Sequence, residues 1–114
     1  MQKQLDEVKE FHRKFQVYTQ YSPSVNVPVN TRDGRISLMR EELDEVAGAM
    51  EEGKLSNIGK ELSDLLYALL GTVQAYGLGE KFEDIFDEVH RSNMSKLDRD
   101  GKPILRDDGK VLKS

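Results

Sequence analysis

Along most of this chain apolar residues recur at steps of three and four, the period of a helix and not of a strand. Leu5, Val8, Phe11, Phe15 and Tyr18 form a first stripe. Pro23 and Pro28 then interrupt the pattern among Ser, Asn and Val residues, so Tyr21 to Asn30 reads as a connecting loop. A second stripe runs through Ile36, Met39, Leu43, Val46, Ala47 and Met50 and stops before Gly53, with Thr31 or Asp33 as candidate caps. A third and broadest stripe carries Ile58, Leu62, Leu65, Leu66, Leu69, Leu70 and Val73 and ends at Tyr76 before Gly77, which marks the central helix. Phe82, Ile85, Phe86 and Val89 begin a fourth, with Leu97 in line beyond it. The periodicity predicts an all-α protein with helices at about 2–20, 35–52, 56–76 and 80–96. In the tail, 97–114, the turns Asp100-Gly101-Lys102 and Asp108-Gly109-Lys110 flank Ile104-Leu105 and predict a short hairpin or extended arm.

With 114 residues and no internal repeat, the chain is expected to form a single domain, 1–114. Apolar residues make up 37% and charged residues 33%. That balance suits long helices with solvated outer faces and a bundle completed by oligomerisation, as a homodimer or homotetramer. A net charge of −4 argues against nucleic acid as a partner, because tracking phosphates takes a broad basic surface. The absence of cysteine removes disulfides, thiolate zinc sites and thiol nucleophiles, and is compatible with a reducing compartment. No stretch approaches about 18 consecutive apolar residues, and the first residues lack the apolar segment of a leader, so a cytoplasmic protein with no membrane partner is expected.

The candidate chemistry lies in two acidic groups. The second predicted helix contains Glu41-Glu42-Leu43-Asp44-Glu45, and the third contains Glu61-Leu62-Ser63-Asp64. At about 100° per residue, Glu41, Glu42 and Glu45 share a sector of about 100°, while Glu61 and Asp64 stand about 60° apart. One such cluster is ordinarily a solvated face. In this chain, however, the glutamate sector also holds Leu38 and Ala49, and Glu61 borders the apolar face that carries Leu65. The short connection around Gly53 to Leu55 makes the two helices antiparallel neighbours, so the clusters can face each other. Carboxylates brought together at reduced dielectric need protons or cations between them. With oxygen donors alone, and neither Cys nor a well-placed His, Mg²⁺ is the natural cation, followed by Mn²⁺. Magnesium held in this way keeps positions open for water and phosphate oxygens, which suits hydrolysis of a phosphoanhydride.

Glu-Glu-x-x-Glu followed after fifteen residues by Glu-x-x-Asp resembles the motif of the MazG-like, all-alpha NTP pyrophosphohydrolase superfamily. The runs Glu61-Leu62-Ser63-Asp64-Leu65-Leu66-Tyr67 and Val89-His90-Arg91-Ser92-Asn93-Met94-Ser95-Lys96-Leu97, with the Gly-Lys tail, look like its phosphoribosyl-ATP pyrophosphohydrolase-like branch. The likeness extends from about Phe11 onward. It implies an enzyme that hydrolyses an NTP or dNTP to the monophosphate and pyrophosphate with Mg²⁺, as nucleotide-pool house-cleaning. Phosphoribosyl-ATP hydrolysis in histidine biosynthesis is the alternative. The resemblance further implies Glu42, Glu45, Glu61 and Asp64 as metal ligands, and Glu41 as the residue that positions or deprotonates water. It assigns Asn93, Lys96, Lys110 and Arg91 to phosphates or ribose. Because the chain ends soon after Gly109-Lys110, a longer C-terminal substrate lid is expected to be absent.

A different class of reading is a non-catalytic helical dimerisation or regulatory module whose acidic face docks a basic partner. His12 and His90 are isolated and read as packed or surface residues, not as zinc ligands. No Ser, His and acid stand in a spacing that suggests a hydrolytic triad. Gly77 to Lys81 lacks the spacing of a phosphate loop, and Asp98 to Gly101 lacks that of a calcium loop. Tyr67 and Phe15 read as core aromatics before they read as a platform for a base.

Overall fold

The computed structural model describes residues 1–97 and 99–110, and all its regular structure is helical: α1 (Gln2–Lys14), α2 (Val29–Glu52), α3 (Leu55–Ala75) and α4 (Phe82–Met94). The expected tail therefore lies partly outside the described residues, at Asp98 and 111–114. Packing divides the chain into two units, Met1–Glu80 and Lys81–Ser114. No described helix is long and apolar enough to cross a membrane.

In the first unit α3 is the central element, packed against both α1 and α2. Leu5, Val8, Leu70 and Ala75 are almost fully buried, joined by Val46, Ala49, Ala68 and Val73. Each of the leucines contributes about 2 kcal/mol by leaving water. The α2 stripe expected in the core is only partly there. Val46 is buried, but Ile36, Leu43 and Met50 are exposed, and the side against α3 instead carries Arg35, Glu42 and Ala49 at seven-residue intervals. On α3, Leu62, Leu66 and Leu69 are likewise exposed. In a unit of three helices α2 packs mainly on one neighbour and α3 on two, too few to cover the whole apolar arc of either.

Two helix ends differ by six residues from the sequence-based expectation, and the others lie within two. The first helix stops at Lys14 and does not run to 20. Gln16 takes a left-handed conformation, φ 58°, and the Val17 amide donates to the His12 carbonyl, 2.9 Å, closing the helix as a glycine ordinarily would. Helix α2 begins at Val29, with Pro28 at its N-cap, so Thr31 and Asp33 lie inside the helix and cap nothing. The loop between α1 and α2 is tied to the end of α3. The Gln20 amide donates to Gln74 O at 3.1 Å, Gln20 Nε2 to Ala75 O at 3.0 Å, and the Ser24 amide to Tyr76 O at 3.2 Å. The Ala75 and Tyr76 carbonyls at the helix end gain partners in this way, and Gln74 O, which also accepts from the Gly77 amide, gains a second.

All three helices of this unit meet at Gly71. A Cβ there would lie 2.4 Å from Arg35 Nη2 and 2.8 Å from His12 Nε2, so the missing side chain is what admits both groups. Arg35 Nη2 donates to Ala68 O at 2.6 Å and Nε to Thr72 Oγ1 at 3.1 Å, clamping α2 to α3. His12 is 3% exposed and lies 3.2 Å from the Tyr18 carbonyl through Nδ1, which must therefore carry the proton. Burial lowers the His12 pKa from 6.5, the Tyr18 carbonyl works against this, and Arg35 lowers it further. The unfolded chain thus binds a proton that the folded chain refuses, and stability is lost as the pH falls from about 6.5 through the lowered folded value. The melting temperature should drop between about pH 7 and pH 5, with a shallower slope in His12→Gln. Parallel curves for the two proteins would remove His12 as the cause.

Phe11 stacks on Phe15 with centroids 4.5 Å apart and meets Tyr67 edge-on at 5.6 Å. Phe15 and Tyr67 are not core aromatics, being 68% and 42% exposed. In the second unit no side chain of α4 is fully buried. The first tail turn is bracketed by a single antiparallel bridge, Leu97 to Pro103, and no strand forms among the described residues. The second turn is closed by Gly109 N donating to Arg106 O at 2.9 Å and Lys110 N to Asp108 Oδ1 at 3.0 Å.

Candidate metal centre

Helices α2 and α3 run antiparallel: Arg35 sits beside Ala68 and Thr72, while Glu42, two turns later, meets Glu61 and Asp64. That register puts one oxygen from each of Glu42, Glu61 and Asp64 within 4.8 Å of the others. Glu61 and Asp64 are one turn apart on α3, so both reach the same side of it. Glu42 occupies a position of the inward side of α2 that its neighbours fill with Val46 and Ala49. All three residues are partly buried, with the Glu61 side chain 17% and that of Asp64 43% exposed.

The electrostatics follow from this crowding. Partial burial pushes the Glu42 pKa above the ordinary carboxylate value, the negative charges of Asp64, Glu61 and Glu45 push it the same way, and Lys60 opposes them. Lys60 Nζ donates to Asp64 Oδ2 at 2.8 Å and to Glu61 Oε1 at 3.3 Å. Those hydrogen bonds raise the lysine's own pKa. Three carboxylates thus converge and one ammonium partly offsets them. The donor set is all oxygen, anionic and drawn from two rigid helices, which fits a hard divalent cation.

Of the five carboxylates singled out by spacing, three come together. Glu41 and Glu45 are exposed on α2 and lie outside the triad, although Glu45 lines a groove with Glu61 and Lys60. Arg91, Asn93, Lys96 and Lys110 belong to the second unit. There Arg91 pairs with Glu88, and Lys96 Nζ donates to Asn93 Oδ1 at 2.5 Å. Sequence reasoning missed Lys60. The available signal was its position four residues before Asp64 on one helix, the spacing of an ion pair.

No curated protein matches the chain. The model of one family does, phosphoribosyl-ATP pyrophosphohydrolase, over residues 8–93, a span that covers α2, α3 and the acidic triad. The chain therefore belongs to the phosphoribosyl-ATP pyrophosphohydrolase family, within the MazG-like all-alpha NTP pyrophosphohydrolase superfamily.

Proposed function

We propose that this protein hydrolyses a nucleoside triphosphate, NTP or dNTP, to the monophosphate and pyrophosphate with Mg²⁺, in nucleotide-pool house-cleaning. The observation that carries the reading is the convergence of Glu42, Glu61 and Asp64 within 4.8 Å across two antiparallel helices. Membership of a pyrophosphohydrolase family that depends on a divalent metal supports it. The cation, when bound, screens the polyphosphate and lowers the pKa of an attacking water. Glu42, Glu61 and Asp64 would hold it, with Glu45 as a further ligand from the groove. Glu41, beside the triad in sequence, orients the water or accepts its proton. Arg91, Asn93, Lys96 and Lys110 contact phosphate or ribose, a role supported by the likeness of the Val89 to Leu97 run and the Gly-Lys tail to the family. The exposed Ile36, Leu43, Leu62, Leu66 and Leu69 support a homo-oligomer. The cytoplasm, where nucleotides are turned over, is the proposed location.

The family's own description favours a second substrate, phosphoribosyl-ATP. Fold and family membership alone do not choose between the two. Pyrophosphate release should be measured over a panel of NTPs, dNTPs and phosphoribosyl-ATP with Mg²⁺. A preference of at least about tenfold in kcat/KM for an ordinary triphosphate is expected, equivalent to about 1.4 kcal/mol of transition-state binding. A preference for phosphoribosyl-ATP would assign the protein to histidine biosynthesis. No release from any of them, with no Mg²⁺-dependent rise in melting temperature, would leave a non-catalytic helical module.

A further inference from the structure

One group beside the triad, Lys60, has no part in holding the cation. Lys60 Nζ stands 2.8 Å from Asp64 and 3.3 Å from Glu61, so it contacts two of the three carboxylates assigned to the cation. A divalent cation held by those carboxylates would compete with the ammonium for their oxygens, and the two positive charges would repel. The lysine side chain is 68% exposed and unrestrained by packing, so it is free to swing aside. It also lines the groove that passes Asp44, Glu45, Glu52, Asn57 and Glu61, in which it is the only basic side chain among the described residues. A metal-bound triphosphate is still an anion, and in so acidic a groove it needs a protein cation to approach.

Resting on that metal assignment, we propose that Lys60 is an internal counter-ion with two positions. In the metal-free protein it neutralises Glu61 and Asp64. Displaced by the divalent cation, it contacts phosphate oxygens of the substrate. The same ammonium therefore weakens metal binding in the absence of nucleotide and strengthens nucleotide binding in its presence.

The test uses the full chain with Lys60→Met, Lys60→Arg and Lys54→Met, the last removing a charge from the start of α3 without touching the triad. Mn²⁺ binding is titrated without nucleotide, by calorimetry or by the electron paramagnetic resonance of the free ion. KM is then measured for a hydrolysed nucleotide at saturating Mg²⁺. Lys60→Met should bind Mn²⁺ about three- to tenfold more tightly than the parent and show a KM about tenfold higher, with kcat within about threefold. Lys60→Arg should restore both values toward the parent, and Lys54→Met should change neither. A parent that binds no Mn²⁺ would overturn the metal assignment itself. A parent that binds Mn²⁺ no more weakly than Lys60→Met would leave the metal site standing and overturn the role of Lys60. So would an unchanged KM in Lys60→Met.

Discussion

Glu42→Gln is expected to lower pyrophosphate release at least about a hundredfold, the largest functional effect in the molecule. Glu42 is the only carboxylate that α2 contributes to the triad, the other two coming from α3. Glutamine keeps the shape and one oxygen but removes the anionic donor that a hard cation favours. The loss should not follow from unfolding. Glu42 carries a raised pKa because its charge is partly desolvated and faces Asp64, Glu61 and Glu45, so a neutral side chain there relieves repulsion. The melting temperature of the metal-free variant should match or exceed that of the parent, while stabilisation by Mg²⁺ should shrink. Activity within a few-fold of the parent would take Glu42 out of the site.

The largest stability effect is expected far from the triad, at Gly77→Ala. Gly77 takes φ 71° at the end of α3, where the Leu78 amide donates to Val73 O at 3.0 Å and the Gly77 amide to Gln74 O at 3.1 Å. A Cβ there would sit 2.1 Å from the carbonyl oxygen of Ser22 and 2.5 Å from its carbon. These are backbone atoms of a loop already fixed by Gln20 and Ser24, so they cannot rotate away as a side chain can. The substitution should cost about 3 kcal/mol or more, lowering the melting temperature by at least about 10 °C. Gly53→Ala supplies the contrast. Its φ is 76°, but nothing lies within 4 Å of a Cβ, so only the left-handed backbone penalty of about 1 kcal/mol applies. Equal losses at the two positions would mean that the approach of Ser22 to α3 contributes nothing.

The same glycines explain why some of this fold was legible in the sequence. The central helix was expected at about 56–76 and spans Leu55–Ala75, because Gly53 and Gly77 both punctuate the chain where left-handed residues are needed. The end of α1 was not legible. Its terminator is Gln16, a residue with no intrinsic preference for that conformation, and Tyr18 continues the apolar stripe beyond it. The start of α2 was hidden for the opposite reason. Its first turns, Asn30-Thr31-Arg32-Asp33-Gly34, are polar and end in a glycine, so periodicity carries no signal there.

Within the candidate site, spacing identified the residues that α2 and α3 bring together but could not separate Glu42 from Glu41 and Glu45. A wheel places three glutamates within one sector, and only the packing of Val46 and Ala49 against α3 selects which of them turns inward. The clamp from Arg35 to Ala68 and Thr72 depends on a contact between residues more than thirty positions apart, which no local pattern encodes. Lys60 was present in the sequence as an ordinary helix ion-pair partner. What distinguishes it is that its partners are the carboxylates of the triad.

The most direct test of the central claim is the identity of the phosphorus products when the full chain is incubated with a nucleoside triphosphate and Mg²⁺, followed by ³¹P nuclear magnetic resonance. Signals of the monophosphate and pyrophosphate growing together, dependent on the metal and lost in Glu42→Gln, are the predicted result. Nucleoside diphosphate with orthophosphate, or no turnover of any triphosphate or of phosphoribosyl-ATP, would contradict it.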